Sequence, residues 1–335
     1  MSPPETAMTS RNATMTALRG VRVGHAQDLR LRTGTTVILI DPPAMAFADT
    51  RGGWPGSFDT AASDLGKTFI DRHALFLTGG DIYGYDASIG IRRYLLERGL
   101  ARARGGGKMP AIMGTNIYDV HFGPLRGRDY VAFGEQACRA ASSRPVAQGT
   151  VGAGTGATVG PFFDRRGLTG TKGGLGSSAA RIGRWTVGAI VVTNSVGNVY
   201  DPFEGQTVAG THRKGSRTFL EMDDVLEDYL GTSSTRFGTT IGAVGTDAPL
   251  DHEQLARLVE LAHDGLALAV RPAHMSTDGD TILGFCTGRR RPRRLDYRAF
   301  DILHHVAVRE VARAAVNAVR HATGLGGFDG LADAR

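Results

Sequence analysis

Clustered glycine constrains this chain more than any other feature. It has 47 glycines in 335 residues, about twice an ordinary usage of ~7%. They gather in "RGGWPG" (51–56), "TGGDIYGYD" (78–86), "GTVGAGTGATVG" (149–160) and "GTKGGLGSS" (170–178), with no fixed period. Residues without a Cβ supply positive-φ turns and let backbone approach backbone, and successive N–H groups can line a cavity. The pattern predicts a site built from loops and main chain, held by regular elements between the clusters.

Those elements mix strand and helix. "GTTVILID" (Gly34 to Asp41) reads as a buried strand, and "MAFADTRGG" as a second strand ending in a turn. "RHALFLTGGDIYG" is a strand running into a glycine loop. "YDASIGIRRYLLERGL" after it has helical spacing, with Ile89, Tyr94 and Leu95 among its apolar positions and Gly99 near its end. "MPAIMGTNIYD" is a strand and "DYVAFGEQACRAASS" a helix. The strand Val187 to Thr193 delivers Asn194 to its end. Leu255, Leu258, Leu261 and Leu266 mark a helix with Asp251 in the capping position, and a short strand unit and a C-terminal helix follow. The composition is that of an α/β or α+β protein, and length alone leaves one large or two smaller domains open. Residues 1–17 are polar and predicted to be a disordered tail. Residues 204–235 are long for a plain connection, which predicts a function-linked segment.

Several function classes are disfavoured. The net charge is +6, but Arg289, Arg290, Arg291, Arg293 and Arg294 lie in one run without stacking aromatics, so nucleic acid is not the expected partner. Cys138 and Cys286 are far apart and lack metal spacing, which suits a reducing, cytoplasmic compartment. No stretch reaches the roughly 18 apolar residues of a membrane span. "GAGTGA" (152–157) matches a dinucleotide fingerprint, yet Gly160-Pro161 interrupts where a helix belongs. "ASDLGKT" lacks the first glycine of a phosphate loop, and His304 and His305 lack zinc spacing.

"TRFGTTIGAV" (235–244) carries more. Strand chemistry alone explains a lone G-T-T, because threonine suits a pleated surface and a glycine can end a turn. The sharper reading is a chain cut at Gly238–Thr239, which makes Thr239 an N-terminus bearing a hydroxyl and an α-amine. Downstream, Asp278 and Asp280 flank Gly279. An Asx turn explains such a pair, as does a site that holds an ammonium or orients a proton.

The ordered series "VGHAQD", "TGTTVIL", "DTRGGWPG", "LTGGDIYGYDA", "NIYD", "VGAGTGA", "KGGLGSS", "VVTNSVG", "GTTIGAVGTDA", "AHDGLALAVRPAH" and "DGDT" resembles the L-aminopeptidase/D-esterase and β-peptidyl aminopeptidase family. That family includes the endo-type 6-aminohexanoate (nylon) oligomer hydrolases. The resemblance implies a four-layer αββα sandwich of the N-terminal-nucleophile type, shared with ornithine acetyltransferase. It implies one catalytic domain over 18–335, cut into chains 1–238 and 239–335 that stay one folded unit, four of which assemble. Carried over residue by residue, Thr239 is the nucleophile and Gly238–Thr239 the scissile bond. Asn194 stabilises the oxyanion, and the Tyr118 hydroxyl lines the site and assists. Lys172 is a lysine near the nucleophile, and Asp278 and Asp280 are the acidic pair of the nylon-hydrolase branch. "GTKGGLGSS" and the arginine run are expected at contacts between units.

The implied chemistry needs no metal or organic cofactor. A threonine hydroxyl is a poor nucleophile, whereas a new α-amine with an ordinary pKa of about 7.7–8 is a base poised near working pH. Glycine before the cut is expected to tolerate a strained turn and leave its carbonyl uncrowded. The implied substrates are small peptides, amino-acid amides or esters, or ω-amino-acid oligomers. Transfer of the acyl group to an amine, and a cleavage-dead binding protein of the same fold, are the alternatives.

Overall fold

The computed structural model describes residues 12–104, 106–160, 167–216, 218–225, 237–288 and 294–334. Its strands are β1 (Val21–Asp28), β2 (Thr33–Thr50), β3 (Ser57–Phe58), β4 (Asp71–Thr78), β5 (Ile112–Asn116), β6 (Gly174–Ile182), β7 (Trp185–Asn194), β8 (Thr239–Thr246) and β9 (Thr281–Cys286). They are hydrogen-bonded in the order β6-β7-β8-β9-β2-β4-β5-β3, with β1 also on β2. Short two- to four-residue pairings lie outside this path. The long helices are α1 (Ala87–Glu97), α2 (Tyr130–Ala140), α3 (His252–Ala269) and α4 (Tyr297–Arg320).

Side-chain alternation along the strands turns this path into layers, because successive residues point to opposite faces. Val187, Ala189 and Val191 of β7, Val244 of β8 and Ile282 of β9 pack with the apolar faces of α3 and α4. Ile190, Val192, Ile241, Ala243, Leu283 and Phe285 face the other way, onto Ile38, Ile40, Leu75, Leu77 and Met113. On the far side of those strands, Val37, Leu39, Ala74 and Phe76 meet Ile91, Tyr94 and Phe133 of α1 and α2. Three apolar interfaces thus separate four layers, helix, sheet, sheet and helix, each buried aliphatic contributing roughly 2 kcal/mol. The expected αββα sandwich is the observed fold.

Strand β2 joins the two sheet layers. Its first half pairs with β1 and β4 and its second half with β9, across an irregularity between Leu39 and Ala44. The two strands expected over 34–53 are therefore one bent strand, because Pro42-Pro43 interrupts the ladder without ending the extended backbone. The parallel pairs β8–β9 and β4–β5 are spanned by α3 and α1, on opposite outer faces. This arrangement brings the start of β8, the start of β9 and the end of β7 together, since Asn194 pairs with Thr239 and Ile241 with Thr281.

Three expectations need correction. Residues 12–17, placed in a disordered tail, are folded: Met15 is fully buried and its N–H donates to Ser177 Oγ at 2.9 Å. An apolar anchor, invisible in a polar stretch, holds them. On α1 it is Ile91 that is buried, whereas Ile89 is exposed. "GTKGGLGSS" cannot face a neighbouring unit, because Lys172 to Ser178 are buried and a Cβ on Gly176 would lie 2.1 Å from Ala314 O of α4. The arginines 289–293 lie outside the described residues, as do 226–236 of the long segment before Thr239. Both cysteines are free and buried. Among the described residues no helix is long and apolar enough to cross a membrane.

Candidate active site

Thr239 opens β8 with 4% of its surface exposed. Its hydroxyl donates to the carbonyl oxygen of Gly238, the residue before it. The Gly279 N–H donates to the same oxygen at 3.2 Å, within a parallel bridge between Gly238 and Asp278. A Cβ on Gly238 would lie 2.4 Å from Val196 N and 2.5 Å from Asp278 Oδ1. Gly238 is therefore required by crowding where a side chain would begin, and its φ is not positive, which corrects the expectation of a strained turn.

The two carboxylates have different surroundings. Asp280 is saturated: Oδ1 accepts from Thr240 N at 2.7 Å, and Oδ2 accepts from both His274 N and His274 Nδ1 at 2.9 Å. Asp278 Oδ2 accepts from Met275 N at 3.0 Å, while the buried Oδ1 has no hydrogen bond of ordinary geometry among the described residues. Burial, reinforced by the Asp280 charge, pushes the Asp278 carboxyl up to about 7, against the opposing Met275 and Val196 amides. The "RGGWPG" loop clamps this turn by main chain alone. Arg51 N donates to Asp280 O at 3.0 Å and Trp54 N to Asp278 O at 2.8 Å.

Asn194 reaches the corner from β7. Its Oδ1 accepts from Thr158 N at 2.9 Å, which orients the amide, and Nδ2 donates to Tyr118 O at 3.3 Å. These bonds use one of the two amide hydrogens, and Asn194 sits opposite Thr239 in the β7–β8 register. Tyr118 thus contributes its backbone carbonyl. Its ring stacks on His121 with centroids 5.4 Å apart and meets Phe237 edge-on at 5.3 Å.

Lys172 is wholly buried, and its three donors go to the carbonyls of Gly154, Ala157 and Gly173 at 2.9, 2.7 and 3.0 Å. Burial draws its ammonium down to about 7, with Asp119 opposing. The Gly154 and Ala157 carbonyls, with that of Gly173, therefore form a cage for a cation. Lys172 pairs with Thr158, which holds Asn194, so it stands two steps from the corner with no donor directed to Thr239.

A model of Peptidase family S58 matches residues 13–332. The chain belongs to peptidase family S58. Membership makes it a hydrolase of amide bonds. It is similar to an uncharacterized aminopeptidase of Mycobacterium tuberculosis (strain ATCC 25618 / H37Rv), 36% identical over 289 residues that cover 82% of this chain and 81% of the relative. It is also similar to 6-aminohexanoate-oligomer endohydrolase of Kocuria sp. (strain KY2), 30% identical over 273 residues, 80% of this chain and 73% of that protein. Among solved structures, L-aminopeptidase D-Ala-esterase/amidase from Ochrobactrum anthropi, described as a variant of the Ntn hydrolase fold, gives a TM-score of 0.68 at 22% identity. It covers 94% of this chain and 88% of that one. At such identity the likeness speaks for the fold.

In this S58 chain, the residues that sequence reasoning missed are those that hold others in place. His274 lay inside a quoted motif without a role, and its φ of 61° was the only trace it offered after the fact. Asp119, fully buried, accepts from Gly80 N at 2.8 Å, Thr33 Oγ1 at 2.6 Å and Arg128 Nη1 at 2.9 Å. A Cβ on Gly79 or Gly156 would lie 2.1 or 2.2 Å from Asp119 Oδ2, so two glycine clusters converge on one carboxylate. Its position after Tyr118 in "NIYD" was a usable signal.

Proposed function

We propose that this chain cuts itself between Gly238 and Thr239, and that the freed Thr239 is the nucleophile of an amide hydrolase. Its substrates are small peptides, amino-acid amides or esters, and ω-amino-acid oligomers; relatives named aminopeptidase and 6-aminohexanoate-oligomer endohydrolase support that range. One observation carries the reading. The buried Thr239 hydroxyl bonds to the carbonyl of the bond just before it, and that oxygen also receives the Gly279 N–H.

In the first event Oγ1 of Thr239 attacks the Gly238 carbonyl carbon, and Gly279 N–H steadies the oxygen as charge develops on it. Asp278, with an open oxygen at this corner, takes the hydroxyl proton and returns it to the departing nitrogen. The C–N bond breaks, an ester forms, and water splits it to leave a Gly238 carboxylate and a Thr239 hydroxyl and α-amine. In turnover that amine is the base. Thr239 attacks a substrate carbonyl and the free Asn194 amide hydrogen stabilises the oxyanion, worth about 3 kcal/mol for such donors. Protonated amine then serves the leaving group, and water releases the acyl product. Asp278 faces the resulting ammonium, and Asp280 fixes Thr240 and thus the start of β8.

The same proposal keeps chains 1–238 and 239–335 together as one folded unit after the cut, with four units assembling in the cytoplasm. A solution mass of a single unit at micromolar concentration counts against the assembly. The test of the nucleophile is an intact-mass spectrum under denaturing conditions, beside Thr239→Ala. Chains 1–238 and 239–335 are expected from the parent and one uncut chain from the variant, with amide turnover down more than about a thousandfold. A parent that is uncut and active would overturn the reading.

A further inference from the structure

Phe237 and Gly238 occupy the corner as a bound acyl group would. The Gly238 carbonyl meets Thr239 Oγ1 and Gly279 N–H, and its backbone forms a bridge with Asp278, the way an extended ligand adds to a strand. The Phe237 ring lies edge-on between Trp54, at 4.6 Å, and Tyr118, at 5.3 Å. Trp54 is 64% exposed, yet its main chain is fixed to the Asp278 turn at 2.8 Å. An exposed tryptophan held rigidly beside reacting atoms is what a binding wall needs.

We propose that the slot filled by Phe237 and Gly238 becomes the acyl-side substrate site of the cleaved enzyme, and that its walls set specificity. This rests on the self-cleavage reading above. The slot next to the reacting carbonyl admits a methylene and rejects an L side chain, since Val196 N, Val196 Cγ2 and Asp278 Oδ1 stand 2.4 to 2.6 Å from a Cβ there. One residue further out, Trp54 and Tyr118 take an aromatic or other flat apolar group. The preferred acyl donors are therefore chains at least two residues long, unsubstituted at the carbon beside the carbonyl and aromatic one residue before it.

The experiment compares kcat/KM of the full-length, purified protein on the p-nitroanilides of Phe-Gly, Ala-Gly and Phe-L-Ala, with intact mass recorded on the same sample. Phe-Gly is expected to exceed each of the others about tenfold or more. Trp54→Ala should lower kcat/KM on Phe-Gly about tenfold and bring the Phe-Gly to Ala-Gly ratio close to one, and Trp54→Phe should restore most of the ratio. A cut chain that hydrolyses Phe-L-Ala as well as Phe-Gly, shows no aromatic preference, or turns over other amides and none of these, overturns the slot alone. A chain that stays uncut overturns the slot and the self-cleavage reading together, because Phe237 then never leaves. Should Trp54→Ala fail to fold, the wild-type ratios still decide.

Discussion

Lys172 and Asp278 are both buried, and burial draws both toward about 7 from opposite sides. Lys172 has spent every donor on a main-chain carbonyl, those of Gly154, Ala157 and Gly173. Asp278 bonds to Met275 N through one oxygen, while the other, beside Gly238, has only the Val196 amide near it and no hydrogen bond of ordinary geometry among the described residues. Burial of a charge is tolerated when neighbours satisfy it and costly when they do not. The first region is therefore a finished structural element, and the second lacks a counter-charge. On the proposed reading that counter-charge is the Thr239 ammonium, which exists only after the chain is cut.

The largest expected effect breaks the comparison at Asp278. Asp278→Asn keeps the acceptor for Met275 N but loses the proton acceptor, and cleavage and turnover should both fall on the order of a hundredfold to a thousandfold. In a Thr239→Ala background, where no ammonium forms, the same change should raise stability at pH 8 by about 2 kcal/mol, since it removes an uncompensated buried charge. Mass spectrometry against time and urea unfolding check the two halves. A variant that cleaves at the parent rate would reduce Asp278 to an ordinary turn residue.

Lys172→Met gives the reverse pairing. Three carbonyls lose their donor, so urea unfolding should show a loss of about 3 kcal/mol. Amide turnover should slow by about tenfold, through Thr158 and the orientation of Asn194. The pH profiles sharpen the contrast. Asp278 holds its proton more tightly folded than unfolded, so it stabilises the fold at low pH, and that contribution is lost as pH rises from about 4 to about 7. Lys172 releases its proton more readily in the fold. Its contribution is present at high pH and is lost as pH falls from about 10.5 through about 7. Subtracting the Asp278→Asn curve from the Thr239→Ala parent should isolate the acid limb, and subtracting Lys172→Met the alkaline limb. Curves that run parallel over both windows would show that neither group is perturbed by burial.

These contrasts also mark what the sequence could tell. Alternation and helical spacing revealed the strand that carries Asn194 and the Asp251 cap, because both are decided within a few residues along the chain. Thr239, Asp278 and Asn194 were legible as residues through an extended motif series. Their partners were not. That Lys172 is caged by the Gly154 and Ala157 carbonyls, that Asp119 gathers two glycine clusters, and that Phe237 lies between Trp54 and Tyr118 are contacts across 15 to 183 residues, for which spacing holds no trace. Gly238 is the sharpest case. Its need for glycine was read as turn strain, whereas the cause is Val196 and Asp278 arriving from elsewhere in the fold.

The smallest prediction asks to which side of the comparison Asp280 belongs. Its carboxylate is saturated by Thr240 N and by two donors of His274, so it resembles Lys172 more than its neighbour Asp278. His274 makes those bonds from a left-handed backbone at φ 61°, a conformation that asparagine tolerates better than other side chains with a Cβ. His274→Asn should therefore stay within about 0.5 kcal/mol of the parent, keeping the backbone donor and offering a side-chain amide in place of Nδ1. His274→Ala, which keeps only the backbone donor and gains nothing for the strained φ, should lose about 1.5 kcal/mol. Both should cleave within about threefold of the parent if Asp280 serves only to fix the start of β8. A far larger loss of cleavage in His274→Ala with stability unchanged would move Asp280, and His274 with it, into the group that handles the proton.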